Sequence, residues 1–269
     1  MLTFDSDLRY REEEVKLWRI NEDKESALEA GILQNLSIFC RKNVFSLEEA
    51  EHQRLVSALD RLIDSGKFVD LSNFHGHPST ICPSAPDGVC CPHKVPSFLP
   101  WHRLYMAQME DELGEALPYW DWTKDAEVPS LWSEAKAPMK EGVNSTCPPF
   151  GFASRNATIR IDKEELRRTS KAAFLERDFS GFVNQISTPH DSLHDSIGCD
   201  MGTIKTAAYD PLFFLHHSYV DYQWAFWQEL QRLRGLGEKP LKSQDVENFR
   251  EPLAPFNLTQ YNGQGKTFR

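Results

Sequence analysis

The sequence predicts a mainly α protein: an antiparallel helical bundle enclosing a dinuclear metal site, with long irregular loops and little strand. Three observations predict it. Apolar residues recur at helical spacing in several stretches. His190 and His194 stand four apart, so a helix places them on one face. Strand signals are weak throughout, with Ala157 to Ile161 as the one short candidate.

Taken in order, Ser46-Leu47-Glu48-Glu49 reads as a capping box, followed by Leu55, Val56, Leu59, Leu62 and Ile63 before Gly66. This predicts a helix over 46–65 with one buried face, and His52 at its edge reads as a half-buried residue rather than a ligand. Residues 74–98 are rich in proline and carry two glycines, which predicts a loop. A second helix is expected to start near Pro100 and to align His102, Tyr105, Met106, Met109 and Leu113 inward. Residues 124–160 read as an irregular surface excursion.

Val183, Ile186, His190, Leu193, His194 and Ile197 form another stripe, which Pro189 interrupts. A fresh helix is therefore expected there, with Thr188 as cap and Pro189 at its first position. The last helix is expected over about 211–234, ending at Gly235. His217, Val220, Trp224 and Trp227 share one of its faces, whereas His216 lines up with Tyr219 and Gln223. Periodicity thus selects His217 over its neighbour. The polar tail after 240 is expected to wrap the surface.

The 269 residues, 40% of them hydrophobic, are enough for a substantial core. A net charge of −10 excludes a nucleic-acid or acidic-membrane partner, since no basic patch dense enough to neutralise phosphates is present. No apolar run is long enough to span a bilayer. The first residues, Met1 to Glu14, are charged and lack the apolar segment of a signal peptide. Sequons at Asn35, Asn144, Asn156 and Asn257 nevertheless point to a secreted or extracellular glycoprotein whose leader lies outside this numbering. Cys82 and Cys90 can close a short disulfide, which leaves Cys91 for another purpose. Cys40, Cys147 and Cys199 form an odd set, in which spacing allows Cys147–Cys199 without establishing it.

His102 lies in the aromatic run Phe98–Tyr105 and His217 in Asp210–His217. Burying several imidazoles without charge partners is costly, and a metal ion offsets that cost. Imidazole-only sites suit copper, zinc, iron or nickel rather than calcium or magnesium. A dinuclear zinc hydrolase is a poor fit, because such sites use carboxylates and nothing acidic occupies the ligand positions.

Phe98–Tyr105, Leu117-Pro118-Tyr119-Trp120-Asp121-Trp122-Thr123 and Asp210–His217 with Val220-Asp221 resemble the type-3 copper family of tyrosinases, catechol oxidases and molluscan-type haemocyanins. The resemblance covers roughly residues 40 to 235, within a single domain taken as 1–269. It implies two copper ions: one held by His75, His93 and His102, the other by His190, His194 and His217. His77 is a rival to His75. Cys91-Pro92-His93 resembles the element in which a cysteine sulfur is joined to the ligand imidazole, implying a Cys91–His93 thioether.

The implied chemistry is dioxygen bound between the ions as a bridging peroxide, with a phenolic or catecholic small molecule oxidised to an o-quinone. Phe213 or Phe214 is a candidate wall for that molecule. Reversible dioxygen carriage is the other function of such sites. The segment His194–Gly202 resembles the tyrosinase pattern, with Cys199 at a usual glycine. Because the chain ends about 35 residues after the last copper helix, a C-terminal shielding domain is expected to be absent and the pocket open. Asp191 stands where many tyrosinases carry an asparagine that takes part in deprotonating a monophenol. It reads either as that catalytic proton acceptor or as the third residue of a capping box begun by Thr188. Asp121 and Asp221 read as groups that orient ligand histidines or anchor helix ends.

Overall fold

The computed structural model describes residues 41–76 and 91–236, apart from 134, 136, 140, 142 and 149. Cys82–Cys90, Cys40, His77, the sequons at Asn35 and Asn257 and the tail after 240 lie outside the described residues.

Among the described residues there are six α-helices: α1 Glu49–Asp64, α2 Lys67–Gly76, α3 Phe98–Leu113, α4 Lys163–Leu175, α5 Phe179–Ile197 and α6 Leu212–Leu233. No named strand occurs among them. Ala157–Ile161 is not a strand: it forms no β-bridge among the described residues, and Ile159 and Ile161 instead pack partly buried against the core. The core runs between α3 and α6, with α4 packed along α5 and α2 against the short turn Ala207–Tyr209. No helix among the described residues is long and apolar enough to cross a membrane.

α1 starts later than its sequence signature implies. Asn43 accepts from the Phe45 backbone at 2.9 Å and closes a 3-10 turn over Val44–Ser46. Ser46 is used inside that turn, donating to the Asn43 carbonyl at 2.8 Å. The capping box moves to Glu48, whose backbone N–H donates to Glu51 at 2.9 Å. Leu55, Ala58, Leu59 and Leu62 are buried, and His52 is half-buried as expected.

α2 covers residues for which no helix was expected. Its inward face is Phe68, Leu71, Phe74 and His75, a spacing hidden because the helix is short and runs straight into the proline-rich segment. Tyr105 donates to the Leu71 carbonyl at 2.8 Å and Tyr209 to Asn73 at 2.5 Å, fixing α2 from both sides. α3 begins two residues before Pro100 and ends on Gly114, whose φ of 69° is left-handed. The predicted stripe from His102 to Leu113 is buried.

α5 runs unbroken through Pro189, so no new helix begins there and Thr188 is not a cap. A proline forfeits its own hydrogen bond and crowds the carbonyl four residues back, here that of Gln185, which is exposed, so the carbonyl can turn toward water. Phe182, Val183, Ile186, Leu193 and Ile197 lie buried on both sides of the break, and this continuous packing holds the helix together. α6 matches expectation within a residue and ends before Gly235, φ 70°.

The excursion over 124–160 is irregular but not confined to the surface. Leu131, Trp132 and Ala137 are buried, and Trp132 donates to the Leu55 carbonyl at 3.2 Å. A disulfide joins Cys147 to Cys199 just past α5. Beside it, wholly buried Asp200 accepts from Ser145, Thr146 and Ser154. Asp221 has no histidine partner among the described residues: its carboxylate takes Arg41 at 2.7 Å and Arg103 at 2.5 Å. Asp121 accepts from the Thr123 hydroxyl and pairs with Lys124. Asp221 ties two segments to α6, whereas Asp121 holds its own turn over 121–124.

Candidate metal centre

Six imidazoles meet in two triangles. α2 supplies His75, the loop before α3 supplies His93, and α3 supplies His102; their ring centroids are 5.5, 5.5 and 5.4 Å apart. α5 supplies His190 and His194 on one face and α6 supplies His217, with centroids 4.7, 4.9 and 5.4 Å apart. The triangles touch: His102 stacks on His217 at 4.4 Å, and His93 lies 6.0 Å from His190. All six positions expected from the sequence are therefore brought together.

The hydrogen bonds decide which way the rings present their lone pairs. The Nδ1 atoms of His75, His102 and His194 lie 2.9, 2.8 and 2.7 Å from the carbonyls of Ile204, Phe98 and Met201. A carbonyl only accepts, so each Nδ1 carries the proton and each Nε2 keeps its lone pair. His190 Nδ1 likewise donates to Asp191 at 2.8 Å. The Nε2 atoms of His75 and His102 are buried without a partner among the described residues. Those of His190 and His194 lie 3.3 and 3.2 Å from His217 Nε2. Four rings thus aim nitrogen lone pairs inward, an arrangement that fits a cation.

Burial, reinforced by repulsion from neighbouring imidazoles, holds His75, His102, His194 and His217 well below the usual imidazole value and His93 at about 4. Folded rings thus bind fewer protons than unfolded ones near 6.5. Stability must fall with pH: the contribution is intact above about 6.5 and drains away toward 4 and below. Metal-free protein is expected to unfold in acid across that window, as chemical denaturation at stepped pH would register. A flat profile between pH 7 and 4 would contradict neutral burial.

The walls are aromatic. Phe213 lies 4.7 Å from His75 and 4.1 Å from His217, whereas Phe214 points away toward Phe68 and Tyr105. Phe98, which sequence reasoning missed as a site residue, contacts His102 at 4.7 Å and His190 at 4.9 Å. Its signal was its place four residues before His102. Cys91 is buried with Sγ 3.6 Å from His93 Nδ1, and burial pushes its thiol up. His93 and His194 are partly buried, whereas His75, His102, His190 and His217 are buried.

Asp191 sits in mid-helix, which removes the capping-box reading. One oxygen accepts from His190 and the other pairs with Lys94 at 3.2 Å. Burial alone would raise its carboxyl, but these partners bring it to about 2.

Gly76 closes the first triangle. A Cβ there would lie 2.1 Å from the Lys205 carbonyl oxygen, and the adjacent Ile204 carbonyl is the one that holds His75. Gly76→Ala is expected to cost about 1–3 kcal/mol and to weaken metal at the first triangle selectively. Thermal denaturation with metal analysis checks this, and unchanged values would show that the 204–205 backbone yields freely.

A helical bundle with two facing imidazole triangles is the architecture of a dinuclear metal protein. The common central domain of tyrosinase matches residues 65–151 and 152–230, and the chain belongs to this type-3 dicopper family. It is 32% identical over 250 residues to haemocyanin beta-C chain unit D of Helix pomatia, covering 84% of this chain and 60% of that one. It is 34% identical over 251 residues to haemocyanin 2 of Megathura crenulata, covering 85% of this chain and 7% of that protein. The chain thus spans less than two thirds of the length of these relatives.

Among solved structures, a functional unit from octopus haemocyanin superposes with a TM-score of 0.72 at 29% identity, covering 83% of this chain and 62% of that one. Tyrosinase from Burkholderia thailandensis gives 0.54 at 18% identity, covering 72% and 62%, a likeness of fold.

Proposed function

We propose that the protein binds two copper ions, one per triangle, and uses dioxygen to oxidise o-diphenols to o-quinones. The observation that carries this is the pair of facing imidazole triangles, six histidines with no carboxylate among the ligand positions. Copper held there supplies dioxygen binding and one-electron steps. The protein's residues do the rest. Carbonyls of Ile204, Phe98 and Met201 and the carboxylate of Asp191 fix the ring tautomers. Phe98 and Phe213 keep water from the interior and offer apolar surface to a phenolic ring. Neutral rings with no carboxylate ligand leave the cations' charge uncompensated, which favours an anionic phenolate.

The experiment is copper-loaded protein in air with catechol added. Quinone formation is expected. An oxygen-dependent absorption band that persists while catechol stays unchanged would instead support the second reading, reversible dioxygen carriage. The haemocyanin relatives and the 0.72 superposition favour that reading.

Asp191 is assigned an assisting role in monophenol deprotonation. With both oxygens engaged and its carboxyl at about 2, it is a weak base and acts by orienting a water. Asp191→Ala, which removes both oxygens, is expected to lower the rate on L-tyrosine relative to L-dopa by at least about tenfold. An unchanged ratio would leave Asp191 only its bond to His190. Cys91 is assigned a thioether to a carbon of the His93 ring, formed with loss of the thiol and ring hydrogens as dioxygen is reduced. Intact mass of metal-loaded protein, two hydrogens light, checks it. Exposed Asn144 and Asn156, with the disulfide, support a secreted glycoprotein.

A further inference from the structure

His216 is a buried imidazole that the proposed function leaves unused. Its ring is fully buried, stacks on His190 at 5.1 Å and meets His194 edge-on at 4.7 Å. It brings a ring nitrogen within 4.8 Å of the ligand atoms of His190, His194 and His217. By distance alone it is a fourth ligand.

Its hydrogen bonding argues otherwise. The indole N–H of Trp122 can only donate, and it lies 3.0 Å from His216 Nδ1. That nitrogen therefore carries the lone pair, and the single proton of a neutral imidazole sits on Nε2. A protonated ring nitrogen does not bind a metal. Trp122 is itself fully buried and held edge-on by Tyr219 at 4.9 Å, so the donor cannot swing aside cheaply. The resulting Nε2–H is buried and has no acceptor among the described residues. A buried donor left unpaired is costly, and such groups persist where a ligand completes them.

We propose that Trp122 is a positioning residue that locks His216 as a hydrogen-bond donor facing the second triangle. There it is kept out of the metal's coordination sphere and serves a small anion, or an oxygen lone pair, seated at that triangle. The ligand half of this rests on the reading of the second triangle as a copper site; the tautomer half does not.

Two measurements test it. In cuprous protein labelled with nitrogen-15 histidine, the His216 signals, identified by their loss in His216→Gln, should report a bare Nδ1 and a protonated Nε2. Trp122→Phe should release that preference. The opposite tautomer in wild type, or no change in Trp122→Phe, overturns the lock. Azide titrated into cupric protein should bind about tenfold more weakly in His216→Leu and within a few-fold of wild type in His216→Gln, which keeps an N–H. Copper per chain should be constant throughout. Equal azide affinity in His216→Leu overturns the donor role, as does equal weakening in both variants, which would show that packing sets the affinity. Wild-type protein that takes up no copper would sink the copper reading instead, and the tautomer measured without metal would still decide the lock.

Discussion

Replacing His217 by alanine is expected to leave the chain with a single bound copper and to abolish the oxygen-dependent absorption of the loaded protein. His217 is the ring on which the centre converges. Its Nε2 is 3.3 Å from that of His190 and 3.2 Å from that of His194, and its face stacks on His102 across the two triangles. Without it the second triangle keeps two nitrogens from one helix, and affinity there should fall by more than the roughly 100-fold that loss of an outer partner costs. His52→Ala, half-buried on α1, should leave copper untouched and serves as the control. Metal analysis after gel filtration reads the result. Full occupancy in His217→Ala would remove α6 from the metal centre.

Arg155→Leu is expected to destabilise the protein by about 3–5 kcal/mol, a large share of a typical total. Arg155 grips Asp210 with two bonds of 2.6 and 2.7 Å and also donates to the Ser133 carbonyl at 2.8 Å. Asp210 is 1% exposed, and the same carboxylate caps the start of α6 at Leu212. Removing the cation strands a buried charge seven residues before His217. Adding Asp210→Asn should recover part of the loss, because the stranded charge disappears with it. Urea denaturation of the two single variants and the double variant measures the coupling. A cost under about 1 kcal/mol for Arg155→Leu would mean that water screens the pair.

The parts of the site legible in the sequence were those in which one helix face carried the information. His190 and His194 share a face by spacing alone. His102 belongs to an inward stripe that α3 reproduces. His75 and His93 had no such pattern, since one ends a short helix and the other sits in a loop; only resemblance to known proteins pointed to them. Pro189 misled because a local breaker was weighed without the packing that carries α5 past it. The same error made Asp191 look like a cap. His216 was set aside because periodicity assumes one wet face, and residues 212–220 are buried all round. The excursion over 124–160 looked like surface because its anchors, Arg155 to Asp210 and Trp132 to Leu55, join residues far apart in sequence.

The fixed Nδ1 protons have a consequence for how the protein comes to work at all. A scaffold that aims its lone pairs inward before any ion arrives offers them to whichever borderline cation reaches it first. The ordinary affinity series then favours copper over zinc, but only where both are on offer. A host short of copper would fill the same rings with zinc, giving folded, durable and redox-silent molecules. Which metal such a centre carries is thus decided as much by trace-element supply during maturation as by the amino-acid sequence.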